Sequence, residues 1–192
     1  MAFDPDSGLV TKARRGDRSA FGELVTRYYD MVYGLAYGVL NNREQARDVA
    51  QDIFLKVFND LSKFSGKSKF KTWLYRVSVN SAIDEQRRKK PTLSLDATDA
   101  SDDEDRPPVI IEDRQPSPRE KVAAGELQQI VKKALDELTP EHRAILVLRE
   151  WQGLSYEEIA ETLNIDQGTV MSRLFYARKK LGEVLKKRDA LK

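Results

Sequence analysis

The sequence contains no cysteine and only one histidine, His142. Disulfide bonds, thiolate metal sites and cysteine nucleophiles are therefore excluded, and one histidine cannot form a histidine metal cluster. The glycines do not form a phosphate-binding loop, and no pair of carboxylates is placed beside a base in the manner of an active site. We therefore expect a protein with no metal, no cofactor and no enzymatic activity of its own.

Long apolar runs are also lacking. No segment approaches the ~20 apolar residues that a membrane-spanning helix needs. Residues 1–10 lack the basic start and apolar core of a secretory signal. The sequence thus predicts a cytoplasmic protein without membrane insertion.

The charges are unevenly distributed although the net charge is only +2. Residues 63–90 carry nine basic and two acidic side chains, a net charge of +7. Residues 91–120 carry nine acidic and three basic side chains, a net charge of −6, and residues 167–192 return to a net charge of +6. Two basic blocks separated by an acidic block indicate two contacts with a polyanion, although solvated helix faces would also explain the charge alone.

A proline-rich segment divides the chain. Residues 91–118 contain five prolines, several acidic residues and few apolar ones, so they cannot form a core and read as a flexible acidic linker. The flanking segments, 8–90 and 119–190, show helical spacing of apolar residues and no useful strand-like alternation. We predict an all-α protein of two small helical domains, the first with helices over about 20–40, 43–61 and 70–89.

The strongest motif lies in the second domain. Thr139 and Pro140 suit the N-cap and first position of a helix that ends near Gly153. Ser155-Tyr-Glu-Glu158 is a capping box that opens a short helix, and a tight turn over 164–167 precedes a last helix from Thr169 onward. This spacing predicts a helix-turn-helix.

The last helix has two different faces. At about 100° per residue, Val170, Leu174, Ala177 and Leu181 share one side and are expected to be buried. The opposite side carries a hydroxyl, two aromatic rings and a cation, groups that can contact base edges, thymine methyls and phosphates. These are Ser172, Phe175, Tyr176 and Lys179.

Aromatic and basic residues alternate in residues 63–88. Cations that follow a backbone, together with rings that stack on unpaired bases, are typical of single-stranded DNA binding. Phe70 and Trp73 read better as core residues, whereas the loop from Phe64 to Lys69 favours a DNA role.

The chain as a whole resembles the extracytoplasmic function (ECF) sigma factors of bacterial RNA polymerase. In the first half the resemblance is carried by Gly16-Asp17, Ala50-Gln-Asp-Ile-Phe-Leu-Lys-Val-Phe58 and Phe70-Lys-Thr-Trp-Leu-Tyr-Arg-Val-Ser-Val-Asn80. In the second half it is carried by Leu148-Arg-Glu150, Gly153-Leu-Ser-Tyr-Glu-Glu-Ile-Ala160 and Gly168-Thr-Val-Met-Ser-Arg173. One departure is Met171, where many members have a basic residue.

The resemblance implies a division of labour. The second predicted helix would dock on the clamp helices of the largest subunit of core RNA polymerase. The second domain would dock on the flap of the second subunit of the polymerase. The docking face would comprise Asp48, Gln51, Asp52, Phe54, Leu55 and Phe58. The acidic linker would thread the polymerase channel, and an anti-sigma factor is an expected partner.

The resemblance also implies two promoter contacts. The first domain would melt and read the −10 element as single-stranded DNA, using Phe64, Lys67, Lys69, Lys71, Tyr75, Arg76, Asn80, Arg87 and Arg88. The helix-turn-helix would read the −35 element in duplex DNA, using Arg149, Thr169, Ser172, Arg173, Phe175, Tyr176, Arg178 and Lys179. The alternative is a stand-alone helix-turn-helix regulator, which would bind duplex DNA tightly without polymerase.

Overall fold

A computed structural model describes residues 4–88 and 133–189. The first described part contains α1 (Ser7–Arg14), α2 (Arg18–Leu40), α3 (Arg43–Asp60), a 3-10 turn (Leu61–Lys63) and α4 (Phe70–Arg88). The second begins with helical residues 133–136 and continues with α5 (Pro140–Leu146), a π-helical turn (Val147–Trp151), α6 (Tyr156–Leu163) and α7 (Gln167–Asp189). The all-α expectation is confirmed for these residues, and the predicted linker, 91–118, lies outside them.

Local capping determines the helix boundaries. Asn41 ends α2 in the left-handed conformation at φ 56°, and the side chain of Asn42 then accepts the Gln45 N–H to begin α3. The Thr139 side chain accepts the His142 N–H, with Pro140 in the first position of α5. These boundaries agree with the sequence prediction, whereas α7 begins two residues before the predicted Thr169.

The first core is formed by α1 to α4. Its centre consists of side chains that are fully enclosed, among them Val32, Ile53, Phe70 and Leu74. Helix α1, which was not predicted from the sequence, contributes Val10 and Ala13 to the same core. This short helix was missed because packing, rather than its own periodicity, stabilises it.

The second core joins the two domains. Leu35 and Val39 of α2 and Val79 of α4 are 0% exposed and pack with Ile145, Leu148, Leu174 and other residues of the second domain. Gly38 permits the close approach, since a Cβ at this position would lie 2.6 Å from Val147 Cγ2 and 2.7 Å from Trp151 Cζ3. The two helical domains thus share an apolar interface.

The helix before the helix-turn-helix ends in a π-helical turn. Gln152 donates its N–H to the Val147 carbonyl at 3.0 Å, and Gly153 follows with φ 68°. The extra residue in this turn places Trp151 half exposed on the surface beside Tyr37, with ring centroids 6.4 Å apart. Among the described helices, none is long and apolar enough to cross a membrane.

Candidate nucleic-acid interface

The helix-turn-helix has the predicted local geometry. The Ser155 hydroxyl accepts the Glu158 N–H at 3.1 Å, and the Glu158 carboxylate accepts the Ser155 N–H at 2.8 Å, which completes the capping box. Asn164 ends α6 in the left-handed conformation at φ 54°. Asp166 then accepts the N–H and the hydroxyl proton of Thr169, which fixes the first turn of α7.

The exposed face of α7 is rich in aromatic side chains. Val170, Leu174 and Ala177 are buried as predicted, and Leu181 is partly buried against them. Phe175 is 62% exposed and Tyr176 is 58% exposed, and the two rings meet edge to face. A large apolar area on the polar face of a helix indicates a binding surface.

Met171 extends this face toward the start of the helix and is 50% exposed. Ser172 is exposed, and its hydroxyl donates to the Thr169 carbonyl at 3.0 Å, which leaves its lone pairs available to a donor on DNA. Lys179 is also exposed, whereas Arg173 is half buried. The groups that can read bases therefore lie together on one side of α7.

Two predicted readers are bound to their own domain. The Arg149 guanidinium donates to the Leu154 carbonyl at 2.8 Å and lies over the Tyr156 ring at 5.1 Å. Arg178 pairs with Glu150 at 2.6 Å, and this hydrogen bond raises the pKa of Arg178. Arg178 lies beside the buried face, so contact with DNA requires it to leave or share Glu150.

A second surface lies on α3. Asp48, Gln51 and Asp52 are exposed, Leu55 is 63% exposed and Phe58 is 41% exposed. Exposed apolar side chains flanked by acidic ones form a surface suited to a partner protein with an apolar and basic face.

Phe54 does not belong to that exposed face, contrary to its predicted position there. It is 7% exposed and stacks on Tyr29, with ring centroids 6.4 Å apart. The reason is its place on the helix, because Phe54 lies four positions after Ala50 and three before Val57, both of which are buried. Phe54 supports the surface from beneath.

The loop between the 3-10 turn and α4 separates its aromatic and basic residues. Phe64, which we predicted as a DNA contact, is 6% exposed and packs on Phe70 and Trp73 at centroid distances of 6.0 and 5.2 Å. Lys67 and Lys69 are exposed. Phe70 is a core residue, as expected, and Trp73 is half buried against the same core. In this loop the cations, rather than Phe64, are presented to solvent.

The middle of α4 faces the second domain. Tyr75 is 4% exposed and donates its hydroxyl proton to the Gln152 side chain at 3.2 Å. Arg76 donates to the main-chain carbonyls of Thr162 at 3.1 Å and Glu161 at 2.7 Å. Two predicted promoter contacts are therefore covered in this conformation.

The remaining predicted contacts of α4 are accessible. Lys71, Asn80, Arg87 and Arg88 are exposed, and Arg87 pairs across the interface with Glu141 at 2.6 Å. Burial acts to raise the pKa of Glu141, but hydrogen bonds from its backbone N–H, Arg87 and Thr139 outweigh it and lower that pKa. The interface thus combines apolar packing with ion pairing at its edge.

Two groups of buried polar residues were not anticipated from the sequence. Arg143 is 0% exposed and donates to the Val39 carbonyl at 2.9 Å and to the Leu135 carbonyl. Asp6 is 1% exposed and accepts from the Arg27 guanidinium and the Tyr28 hydroxyl. No local motif marks either group, because Val39, Arg27 and Tyr28 lie more than twenty positions from the residues that they contact.

The fold and its surfaces define a class of protein, a two-domain helical DNA-binding protein with a helix-turn-helix and a separate apolar-acidic docking face. Residues 24–92 match the family described as Sigma-70 region 2, and residues 128–181 match Sigma-70, region 4. The RNA polymerase sigma-H factor of Pseudomonas aeruginosa is 36% identical over 189 residues, which are 96% of each chain. The ECF RNA polymerase sigma factor SigW of Bacillus subtilis is 34% identical over 92% of this chain and 95% of its own.

A solved structure of similar fold covers nearly the whole chain. The structure of CnrH in complex with the cytosolic domain of CnrY has a TM-score of 0.68 and 26% identity over 96% of this chain and 99% of that one. The chain belongs to the ECF RNA polymerase sigma factors. It is accordingly a transcription initiation factor that binds core RNA polymerase, directs it to promoters and assists promoter melting. Because both halves match, a stand-alone regulator is not favoured.

Proposed function

We propose that three surfaces divide the work of initiation among named residues. The observation that carries the proposal is the α3 face, where Leu55 and Phe58 are exposed between acidic residues. A duplex-binding regulator has no need of such a face, whereas a polymerase subunit needs a docking surface that leaves its DNA contacts free. Asp48, Gln51 and Asp52 complete this face, which binds the clamp helices of the largest subunit.

The basic loop and α4 melt and read the −10 element. Lys67, Lys69 and Lys71 follow the phosphates of the unpaired strand, since cations track a single strand while rings and amides contact its bases. Asn80, Arg87 and Arg88 extend the same surface, and Tyr75 and Arg76 join it when the second domain moves away. Phe64 acts indirectly, as a core support for the loop.

The exposed face of α7 reads the −35 element in duplex DNA. Phe175 can meet a thymine methyl, and Ser172 can bond a base edge or a phosphate. Arg173, Tyr176 and Lys179 contact the backbone on either side, with Thr169 at the helix start and Arg149 and Arg178 at the flank. Met171 replaces a cation with an apolar chain, which shifts this face toward apolar contact.

The partners follow from the same surfaces. Core RNA polymerase binds through the clamp helices and, for the second domain, the flap of the second largest subunit. Sigma factor RpoE from Bartonella quintana, solved in complex with the anti-sigma factor NepR, has 22% identity to this chain and a TM-score of 0.62. We infer an anti-sigma partner for this chain and a cytoplasmic site of action, and we propose that residues 91–118 act as the acidic linker in the polymerase channel.

The decisive experiment is sequencing of transcript starts made by core RNA polymerase with and without the full chain. We expect starts at a fixed distance from a shared pair of −10 and −35 sequences, and only when the chain is present. No new starts from a library of promoter sequences would contradict the proposal.

A further inference from the structure

Asp4 connects the amino terminus to the start of α4. Its carboxylate accepts the Phe70 N–H at 2.9 Å, from 66 positions away, and also the Asp6 N–H at 3.1 Å. Phe70 is the first residue of α4 and ends the basic loop. Asp4 therefore satisfies a helix-start donor that a neighbouring side chain would ordinarily satisfy.

Asp6 fixes this connection to α2. It is 1% exposed and accepts from the Arg27 guanidinium and the Tyr28 hydroxyl. Burial, followed by the hydrogen bond to Asp6, raises the pKa of Tyr28. The Tyr28 ring lies 5.8 Å from that of Phe70, so Asp4 and Asp6 belong to one network with the start of α4.

The other end of the basic loop is held by the same segment. Helix α1 packs against the 3-10 turn, Leu61–Lys63, that precedes the loop. Val10 and Ala13 anchor α1 in the first core. Residues that lie before the matched range, 24–92, thus hold both ends of the loop that carries Lys67 and Lys69.

We propose that Asp4 and Asp6 are positioning residues for reading of the −10 strand. They do not contact DNA, but they hold the basic loop and the first turn of α4 in one geometry, so that the loop loses less conformational entropy when the strand binds. This role rests on the proposed −10 function of the loop.

The test compares two caps of the same chemistry. Asp17 accepts the Ser19 and Ala20 N–H groups at 2.9 and 3.1 Å and caps α2, a helix with no proposed promoter contact. We expect Asp4→Ala to lower permanganate reactivity of −10 thymines in the polymerase complex roughly threefold to tenfold. Asp4→Asn should lose less, because its one amide oxygen can still accept the Phe70 N–H while the Asp6 N–H loses its acceptor. Asp17→Ala should lower the unfolding midpoint about as much as Asp4→Ala does, but it should leave the permanganate reactivity near that of the wild type.

All proteins are assayed below the lowest unfolding midpoint measured. Equal losses in Asp4→Ala and Asp17→Ala, or no loss in Asp4→Ala, would overturn the positioning role. If the wild-type chain itself opens no promoter, the proposed function fails instead.

Independent contacts place the second domain over the −10 surface. Arg76 binds the carbonyls of Glu161 and Thr162 in the last turn of α6, where the helix dipole is negative. The backbone hydrogen bond with Ser155, and then the charges of Lys71 and Lys69, lower the pKa of Glu158. The carbonyl oxygens at the end of α6 thus bind the Arg76 cation of α4 much as phosphate oxygens would.

The interface is held closed by buried contacts as well. Arg143 is completely enclosed and reaches the Val39 carbonyl of the first domain. Asn41 donates to Asp136 at 3.0 Å beside it. We infer that the end of α6 is an intramolecular competitor of the −10 strand, and that the domains must separate before Tyr75 and Arg76 reach DNA.

Gly38 offers a direct test because a side chain at this position would clash with Val147 and Trp151 of the second domain. A Cβ at Gly22 of the same helix would meet nothing within 4 Å, which makes Gly22 the matched control. Gly38→Leu should separate the domains, increase the radius of gyration in solution scattering and tighten binding of a single-stranded −10 oligonucleotide about tenfold. Gly22→Leu should change neither quantity.

Separated domains in Gly38→Leu without tighter binding of the −10 oligonucleotide would overturn the proposed competition. An equal gain in oligonucleotide affinity in Gly38→Leu and Gly22→Leu would overturn it as well. A Gly38→Leu chain that stays as compact as wild type would overturn the closed geometry on which it rests. Promoter opening by the wild-type chain with core polymerase, measured alongside, tests the proposed function separately.

Discussion

Arg143 Nη1 donates to the Val39 carbonyl at 2.9 Å, across 104 positions of the chain. The carbonyl belongs to the last turn of α2, where main-chain oxygens have no partner within the helix. Burial lowers the pKa of Arg143, and Asp136 opposes that effect at 3.2 Å. One side chain thus completes a helix of the first domain from within the second.

Arg143→Ala should destabilise the protein by about 3 kcal/mol, because it leaves two buried carbonyls without a donor and opens a cavity. Urea unfolding followed by circular dichroism measures the loss. Arg47→Ala, at an exposed position of α3, is the control and should change stability little. Equal losses of unfolding free energy in Arg143→Ala and Arg47→Ala would mean that the buried hydrogen bonds of Arg143 do not stabilise the protein.

Asp52→Lys should abolish binding to core RNA polymerase while the chain remains folded, since it reverses a charge beside exposed Leu55. Co-purification with core enzyme measures binding, and circular dichroism checks the fold. Glu23→Lys makes the same charge change at an exposed acid of α2, outside the α3 face, and should still bind. Unchanged co-purification of Asp52→Lys would refute the docking surface.

Phe175→Ala and Ser172→Ala should each weaken use of the preferred −35 sequence by about 1–3 kcal/mol, because base contacts discriminate among sequences. Competition transcription between promoters that differ only at −35 measures this effect. Lys179→Ala, a change at an exposed cation, should instead weaken all promoters alike and reduce the salt dependence. If the first two variants also lose equally on every promoter, they contact only phosphate.

The capping box predicts a pH dependence of stability. The folded pKa of Glu158 is lowered, first by its hydrogen bond from the Ser155 backbone, so its contribution is present above the unfolded pKa of about 4.5 and is lost as pH falls below it. Glu158→Gln should therefore flatten part of the loss in melting temperature between about pH 6 and pH 3. Glu157→Gln, at the adjacent exposed acid, should follow the wild-type profile. Identical profiles for wild type and Glu158→Gln would contradict the prediction.

The helix boundaries were predictable because their signals are local. Asn41 and Asn42, Thr139 and Pro140, and the Ser155 capping box each act within four positions of the chain. Helix α1 lacked such a signal, since its Asp6 N-cap position makes no side-chain cap and its stability comes from packing. Short-range chemistry was therefore visible in the sequence, and long-range packing was not.

The surfaces were predictable only in part. Phe175 and Tyr176 are exposed as the helical angles indicate, but Tyr75 is buried because the second domain covers it. Arg143 was missed because arginine is usually exposed, and its burial depends on a carbonyl in another domain. Packing between two domains is not visible in the spacing of apolar residues within either domain.

The two tryptophans occupy different parts of the molecule. Trp73 packs with Phe64 in the first core, whereas Trp151 is half exposed and borders Tyr37 across the domain interface. The rings of Tyr29, Tyr33 and Tyr37 stack in sequence toward it along α2. Intrinsic fluorescence of a Trp73→Phe chain would consequently come from one indole at the junction. Its emission wavelength and its energy transfer from tyrosine would report domain opening in real time without a dye.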